Sequence, residues 1–295
     1  MGKSREIKKR MKAVGNIRRI TRTMQMIATS KFARAQQAAT ASKPYTNALF
    51  ELVAELASSI GDTSHPLLGK SAAKRTGKEV TLIITSDRGL CGPYNGNVIR
   101  TAMRHLRSHD AASSGVIEVV GKKGANVLKF NAFSIAAHHT NFGDKPRYDE
   151  VERLANTYIE RFAAGEIDAV RVVYMRYISA GQQKPEILQL IPFDQSAAGK
   201  AQSATESKLT PLYEFSPDPE SLLSELLPAA VRAVLFQAFN DAVVSEHVAR
   251  MVAMKSATDN AGKMRKRLQR KYNRARQAQI TTELTEIISG AAALS

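Results

Sequence analysis

The sequence predicts an α/β domain inserted between two long terminal helices. Three observations carry that expectation: helical periodicity that runs on for dozens of residues at both ends, strands alternating with helices across the middle, and a positive charge gathered at the two ends. Of the formal net charge of +16, residues 1–40 hold +10, with Glu6 as their single acid, and residues 250–276 hold +9, with Asp259 as theirs. The rest of the chain is therefore slightly acidic. Two basic ends read either as two tails or as one basic body made where the ends meet.

The first element is a helix. From Ile7 the apolar residues fall at Ile7, Met11, Val14, Ile17, Ile20, Met24 and Ile27, in steps of three and four. The pattern continues through KFARAQQAA and TNALFELVAELASSI to Gly61. Pro44 within it should kink or break the helix, since a proline costs about 3 kcal/mol in a helix interior. Unbroken, such a helix would reach roughly 80 Å at ~1.5 Å per residue.

Across the middle, KEVTLIIT is a strand, NGNVIRTAMRHLRS a helix, GVIEVVG a strand, GANVLKF a short helix and YDEVERLANTYIERFAAG a helix. The strands IDAVRVVYMRYI and EILQLIPF follow. Alternation of this kind builds βαβ units and a mostly parallel sheet covered on both faces. Residues 194–218 are polar and turn-rich and read as a mobile connection.

The last element is again helical. Ser216 or Asp218 is the expected N-cap, with Pro219 in the first turn. Pro228 should kink this helix or open a fresh one. Val231, Leu235, Ala238, Ala242, Ser245, Ala249 and Val252 then alternate in steps of four and three. Further on, Met264, Leu268, Tyr272 and Ala275 lead to Ile280, Leu284 and Ile287, with Gly290 as the expected stop. Sustained steps of three and four are the mark of helices winding on a partner. The simplest partner for one terminal helix is the other.

Chemistry is sought first in VTLIITSDRGLCGPYNGN (80–97), a strand delivering a Gly-rich turn and the only cysteine. No G-x-G-x-x-G follows Ile84, no P-loop spacing occurs, and no base is spaced to serve Cys91. The turn reads as a tight strand-to-helix connection, with Cys91 a small buried filler. VVGKKGAN (119–126) resembles a phosphate-binding turn through Lys122 and Lys123, but its two glycines suit an ordinary connection as well. His138 and His139 are adjacent, so they cannot share a helix face, and a solvated loop is expected there. His105 and His109 are one helical turn apart without an acidic ligand nearby in sequence; His65 and His247 are scattered. No catalytic residue, cofactor site or metal site is expected. One cysteine excludes an internal disulfide framework, and no uninterrupted apolar run approaches the ~18 residues that span a bilayer. The alternative function is a basic coiled-coil nucleic-acid-binding protein. Against it, residues 1–31 hold no aromatic for stacking and residues 250–276 hold only Tyr272.

At TRTMQMIATSKFARAQ, at TSDRGLCG and at MVAMKSATDNAGKMRKRLQRKYNRARQAQITTELTEIISGAAA, the chain resembles the gamma subunit of F-type ATP synthases. The three stretches lie in the family's order, so the resemblance covers essentially the whole sequence. It implies an antiparallel coiled coil of long N- and C-terminal helices with an inserted Rossmann-like α/β domain: residues 1–62, 75–205 and 216–295 in turn. It implies a non-catalytic rotary shaft that couples transmembrane proton flow to ATP synthesis or hydrolysis at sites on other subunits. The implied partners are three alpha and three beta subunits, the epsilon subunit and the membrane ring of c subunits, with no nucleic acid and no insertion of this chain into the membrane. The implied place is the cytoplasmic face of a bacterial inner membrane.

By position, the resemblance assigns subunit contacts as follows. Met24 and Arg250 match residues that lie near one another, close to an acidic lever loop on beta; Lys31 and Arg34 extend the N-terminal basic face. Arg276, Gln277, Thr281 and Glu283 match the polar contacts with a beta catch loop. Ile280, Leu284, Ile287 and Ile288 would form an apolar tip seated in a hydrophobic collar. Pro93, Pro228 and the very basic KMRKRLQRKYNR depart from the family pattern.

Overall fold

A computed structural model describes residues 2–60, 66–68, 77–108, 115–193 and 218–294. Helix α1 runs Gly2–Ile60 and helix α5 runs Pro219–Leu294. Between them lie β1 (Glu79–Ile84), α2 (Tyr94–Ser108), β2 (Val116–Val120), α3 (Lys122–Phe130), β3 (Ala137–His139), α4 (Tyr148–Ala163), β4 (Ala169–Ser179) and β5 (Gln182–Ile191). The chain forms two compact units, residues 1–30 with 250–295, and residues 31–249.

The larger unit is built on a sheet of order β3-β2-β1-β4-β5. The first four strands are parallel, and β5 returns antiparallel on β4. All six residues of β1 are buried, as a central parallel strand covered on both faces requires. Its side chains alternate between two cores. Val80, Leu82 and Ile84 face a cluster with Val170 and Val172 of β4, Leu154 and Tyr158 of α4, and Leu223, Leu227 and Val231 of α5. Ile83 faces the other, with Val98 and Ala102 of α2, Leu128 of α3 and Val173 of β4. Both edges of the sheet suit edges. β3 is only three residues long, and β5 carries Pro185 where no ladder donor is needed.

Neither expected proline break occurs. α1 passes through Pro44 and α5 through Pro228 without interruption. The reason is energetic. Leu49, Val53 and Leu56 are buried beyond Pro44, and Leu223, Leu227 and Val231 flank Pro228. Burying each such side chain contributes about 1.5–3 kcal/mol, which together exceeds the cost of a proline. α5 starts as predicted: the Asp218 carboxylate accepts the Ser221 N–H at 2.9 Å, with Pro219 at the first helical position. The expected Ser216 cap and the connection at 194–217 lie outside the described residues. So do His65, His109 and the helix end at Gly61. Gly290 does not stop α5, which continues to Leu294. A single helical glycine costs only about 1 kcal/mol, and three alanines follow it.

One window of α5 is long and apolar enough to pass for a membrane span by composition, although charged residues interrupt it. Half of that window is buried. Leu227, Val231 and Leu235 are fully covered by the sheet's core, so this is a core helix of the larger unit.

The Gly-rich turn after β1 is scaffold. Cys91 is buried beneath the sheet end and receives the Asn95 amide at 3.2 Å, while Asn95 Oδ1 accepts the Ser86 N–H at 3.0 Å. The 119–126 turn does not wait for a phosphate. The Asp87 carboxylate accepts the Lys122 N–H at 3.0 Å and the Thr85 hydroxyl accepts the Gly124 N–H at 2.9 Å, so side chains of this chain fill the N-terminus of α3. Gly121 makes that closeness possible: its φ is +88°, and a Cβ there would lie 2.2 Å from the Thr85 carbonyl oxygen.

The carboxyl ends of β1 and β2, where doubly wound sheets hold ligands, are covered from above by Phe239 and Ala242 of α5. A crevice of only about 160 Å³ is left. The Ser245 hydroxyl donates to the Met175 carbonyl at 3.1 Å, which pins α5 to β4.

Two buried polar clusters replace the histidine sites considered from sequence. His105 Nε2 lies 2.8 Å from Glu79 Oε1, with Arg171 on the other carboxylate oxygen at 3.0 Å. His139 stands on edge strand β3 rather than in a solvated loop, 2.8 Å from Glu118 Oε2. Tyr158 Oη donates to the same oxygen at 2.8 Å and Arg161 reaches the other at 3.3 Å. Burial raises the Glu118 pKa, but the hydrogen bonds of His139 and Tyr158, with the charges of His139 and Arg161, outweigh it and hold the carboxyl below its ordinary value. Both carboxylates arrive from strands distant in sequence, which is why helical spacing alone did not reveal them.

Candidate functional site

The smaller unit carries most of the predicted contact residues. Its two helical segments pair antiparallel: Ser4 donates to Gln279 at 2.9 Å, Arg18 lies over Gly262, and Thr258 meets Thr21 at 2.8 Å. The partner number falls as the α1 number rises. The seam is a heptad line. On α1 it follows Ile7, Met11, Val14, Arg18, Thr21, Gln25 and Ala28; on α5 it follows Met254, Thr258, Ala261, Leu268, Tyr272, Ala275 and Gln279.

This seam departs from the apolar stripe read in the sequence. The stripe and the seam agree as far as Val14 and then separate by one residue, about 100° around the helix. Thr21 and Ala28 are buried at 9% and 1% exposure, whereas Ile17, Ile20 and Ile27 stand 52–57% exposed. On α5, Val252 and Met264 are likewise exposed. Along residues 17–28 the 3.5-residue seam places Thr21 and Ala28 between the helices and turns Ile17, Ile20 and Ile27 outward.

Beyond Gln279, α5 continues past the Ser4 contact. Residues 280–294 extend about 22 Å past the Ser4–Gln279 contact. Continuing the heptad would place Thr282, Glu286 and Ser289 on the seam line, and these are polar. The apolar residues Ile280, Leu284, Ile287 and Ile288 do not continue the seam as the sequence pattern suggested; they lie on a different side of the helix. They are exposed at 53, 57, 71 and 59%. Arg276, Gln277, Thr281 and Glu283 are exposed on that same side, within roughly half the circumference. The predicted tip and the predicted polar contacts thus share one face.

Met24 and Arg250 are half-buried in this unit. An open groove of about 670 Å³ lies along its basic side, lined by Arg5, Lys8, Lys9, Lys12, Arg19 and Arg265. Lys31 and Arg34 belong to the larger unit. Arg34 is exposed, but Lys31 is ion-paired with Asp144. Burial raises the Asp144 pKa, yet the hydrogen bond and charge of Lys31 outweigh it and hold the carboxyl below its ordinary value. Sequence reasoning missed that pairing, since Asp144 is more than a hundred residues away.

This arrangement has the chemistry of a mechanical contact surface: long helices, exposed apolar side chains in a row, and a groove lined by cations along one side. Among the described residues no group of three or more His, Cys, Asp or Glu could hold a metal ion. A family model described as ATP synthase matches residues 3–294. An ATP synthase gamma chain from Rhodopirellula baltica is 41% identical over 297 residues, covering 100% of this chain and 99% of the relative. One from Leptospira biflexa is 40% identical, covering 100% of both. Among solved structures, a chain of the Euglena gracilis mitochondrial ATP synthase in its OSCP/F1/c-ring assembly aligns with a TM-score of 0.66 at 19% identity, over 99% of this chain and 95% of that one.

Proposed function

The chain belongs to the family of ATP synthase gamma chains, and on that premise we propose that it is the rotary shaft that couples transmembrane proton flow to ATP synthesis and hydrolysis. As a gamma chain it is part of the central stalk of F1. In the proposed mechanism it contributes no catalytic group. The nucleotide sites belong to three alpha and three beta subunits around the coiled coil, and the α/β foot meets an epsilon subunit and the ring of c subunits. The complex would stand on the cytoplasmic face of a bacterial inner membrane. The division into residues 1–62, 75–205 and 216–295 belongs to the same reading.

The observation that carries the proposal is the row of exposed apolar side chains at the end of α5. The helix extends about 22 Å past the Ser4–Gln279 contact and presents Ile280, Leu284, Ile287 and Ile288 exposed on one side, a row of large apolar side chains of the kind that marks a contact surface. It suits a tip seated in an apolar collar, with Arg276, Gln277, Thr281 and Glu283 beside it for polar contacts. Lower down, Met24, Arg250 and the cationic groove would meet an acidic loop of beta; Arg34 would extend that face, and Lys31 would do so only by leaving Asp144. An asymmetric shaft touches three identical catalytic subunits differently, so each turn biases every site toward a different affinity. The test is reconstitution of the chain with separately purified alpha and beta subunits. The expected result is a stoichiometric complex whose ATPase activity depends on this chain; no assembly with either subunit would sink the reading.

A further inference from the structure

The slightly acidic middle of the chain conceals a strongly basic face. Helices α2 and α3 lie side by side in the larger unit and carry Arg100, Arg104, Arg107, Lys122, Lys123 and Lys129 without a single Asp or Glu. All six cations are exposed, and none takes part in an ion pair between described residues. Between the two helices runs an open groove of about 750 Å³. Its floor is apolar, with buried Ile99, half-buried Met103 and Val127 at 38% exposure. Phe130, one turn beyond Val127 on α3, is 90% exposed.

We propose that this groove docks an acidic amphipathic helix of a protein partner. The spacing selects that occupant. Arg100, Arg104 and Arg107 stand on one bank at steps of four and three, spread over about 10 Å of helix. No single small anion can reach all three. A helix laid along the groove can, with carboxylates at the same steps, while its apolar face covers Ile99, Met103 and Val127. Lys123 stands on the opposite bank and would hold a second carboxylate row. Charge complementarity favours an acidic sequence, and the concave apolar floor favours a rod over the flat surface of a bilayer. The groove lies on the sheet face opposite the α1 and α5 segments that pack into the larger core, and none of its residues is among the beta-contact residues assigned above.

The test uses the full chain and a labelled synthetic helix with Leu at i, i+4 and i+7 and Glu flanking them, followed by fluorescence anisotropy near physiological salt. Binding should weaken by about tenfold or more in Arg104→Glu/Lys123→Glu and in Val127→Asp. It should be unchanged in Lys8→Glu/Lys9→Glu, which alters the other basic groove. Circular dichroism checks that each variant is folded. A scrambled peptide of equal composition should bind at least about tenfold more weakly. Equal binding of the scrambled peptide, equal loss in the Lys8/Lys9 variant, or no binding at all would overturn the proposal. Binding of phosphatidylglycerol vesicles through Arg104 and Lys123 with no binding of the peptide would overturn it in favour of a membrane surface.

Discussion

Thr21 and Thr258 meet hydroxyl to hydroxyl, 2.8 Å apart and both buried, in the seam between the two terminal helices. Thr21 donates to the Arg18 carbonyl and Thr258 has the Met254 carbonyl within reach, so the pair is satisfied without water. A buried polar layer holds a coiled coil in one register, because sliding would strand the hydroxyls among apolar groups. Thr258→Val should cost about 1 kcal/mol, and Thr21→Val about the same. The double variant should cost less than the sum. Urea unfolding followed by circular dichroism measures the cycle; strict additivity would mean that the two hydroxyls do not interact.

The exposed apolar tip separates stability from assembly. Ile287→Glu with Ile288→Glu changes residues that are 71 and 59% exposed, so the stability of the isolated chain should shift by less than about 0.5 kcal/mol. Assembly with alpha and beta subunits, or ATPase coupling in the complex, should fall markedly. A variant that assembles and couples normally would remove the tip from the proposed contact set.

Arg250 tests the lever contact. Arg250→Glu should leave ATP hydrolysis running in the reconstituted complex while lowering proton pumping per ATP. Pumping measured in vesicles against ATP consumed gives the ratio directly, and an unchanged ratio would withdraw the assignment.

Glu118 should make the fold acid-sensitive. Its carboxyl is held below its ordinary value, so its contribution to stability is present above the unfolded pKa near 4.5 and is lost as pH falls through the lower, folded value. Glu118→Gln should destabilise the α/β unit by about 2 kcal/mol at neutral pH, since Arg161 and His139 lose their anion. It should also flatten the acid limb of the stability profile. An unaltered limb would place the acid sensitivity elsewhere.

Gly121 admits no side chain. Gly121→Ala should destabilise by more than about 3 kcal/mol, because its Cβ collides with the Thr85 carbonyl in a left-handed conformation. Gly15→Ala is the control: nothing stands within 4 Å of its Cβ, and helix propensity should favour the change by up to about 1 kcal/mol. Thermal melts of the two variants should move in opposite directions.

Much of the contact surface is legible in the one-dimensional pattern. Ile280, Leu284 and Ile287 recur at helical steps, and Arg276 to Glu283 sit among them, so a shared region is visible there. What that pattern does not show is which side of the helix pairs. Apolar spacing in α1 points to Ile17, Ile20 and Ile27, but the seam runs through Thr21 and Ala28. The basic face of α2 and α3 is hidden for a related reason: its six cations come from two stretches, 100–107 and 122–129, that share a surface only when the two helices pack together.

The sequence alone therefore determined the two long helices, the alternating strands and helices between them, and the family. Those follow from local periodicity and from motifs, which need no partner to be read. Tertiary structure decided the rest. It kept α1 and α5 helical through Pro44 and Pro228 and turned Ile17, Ile20 and Ile27 outward. It also set His105 and His139 on carboxylates from distant strands, and filled the helix N-terminus at Lys122 with Asp87. Each outcome depends on what a residue meets across space, and the energy of burying or pairing it there exceeds the local preference that the sequence displays.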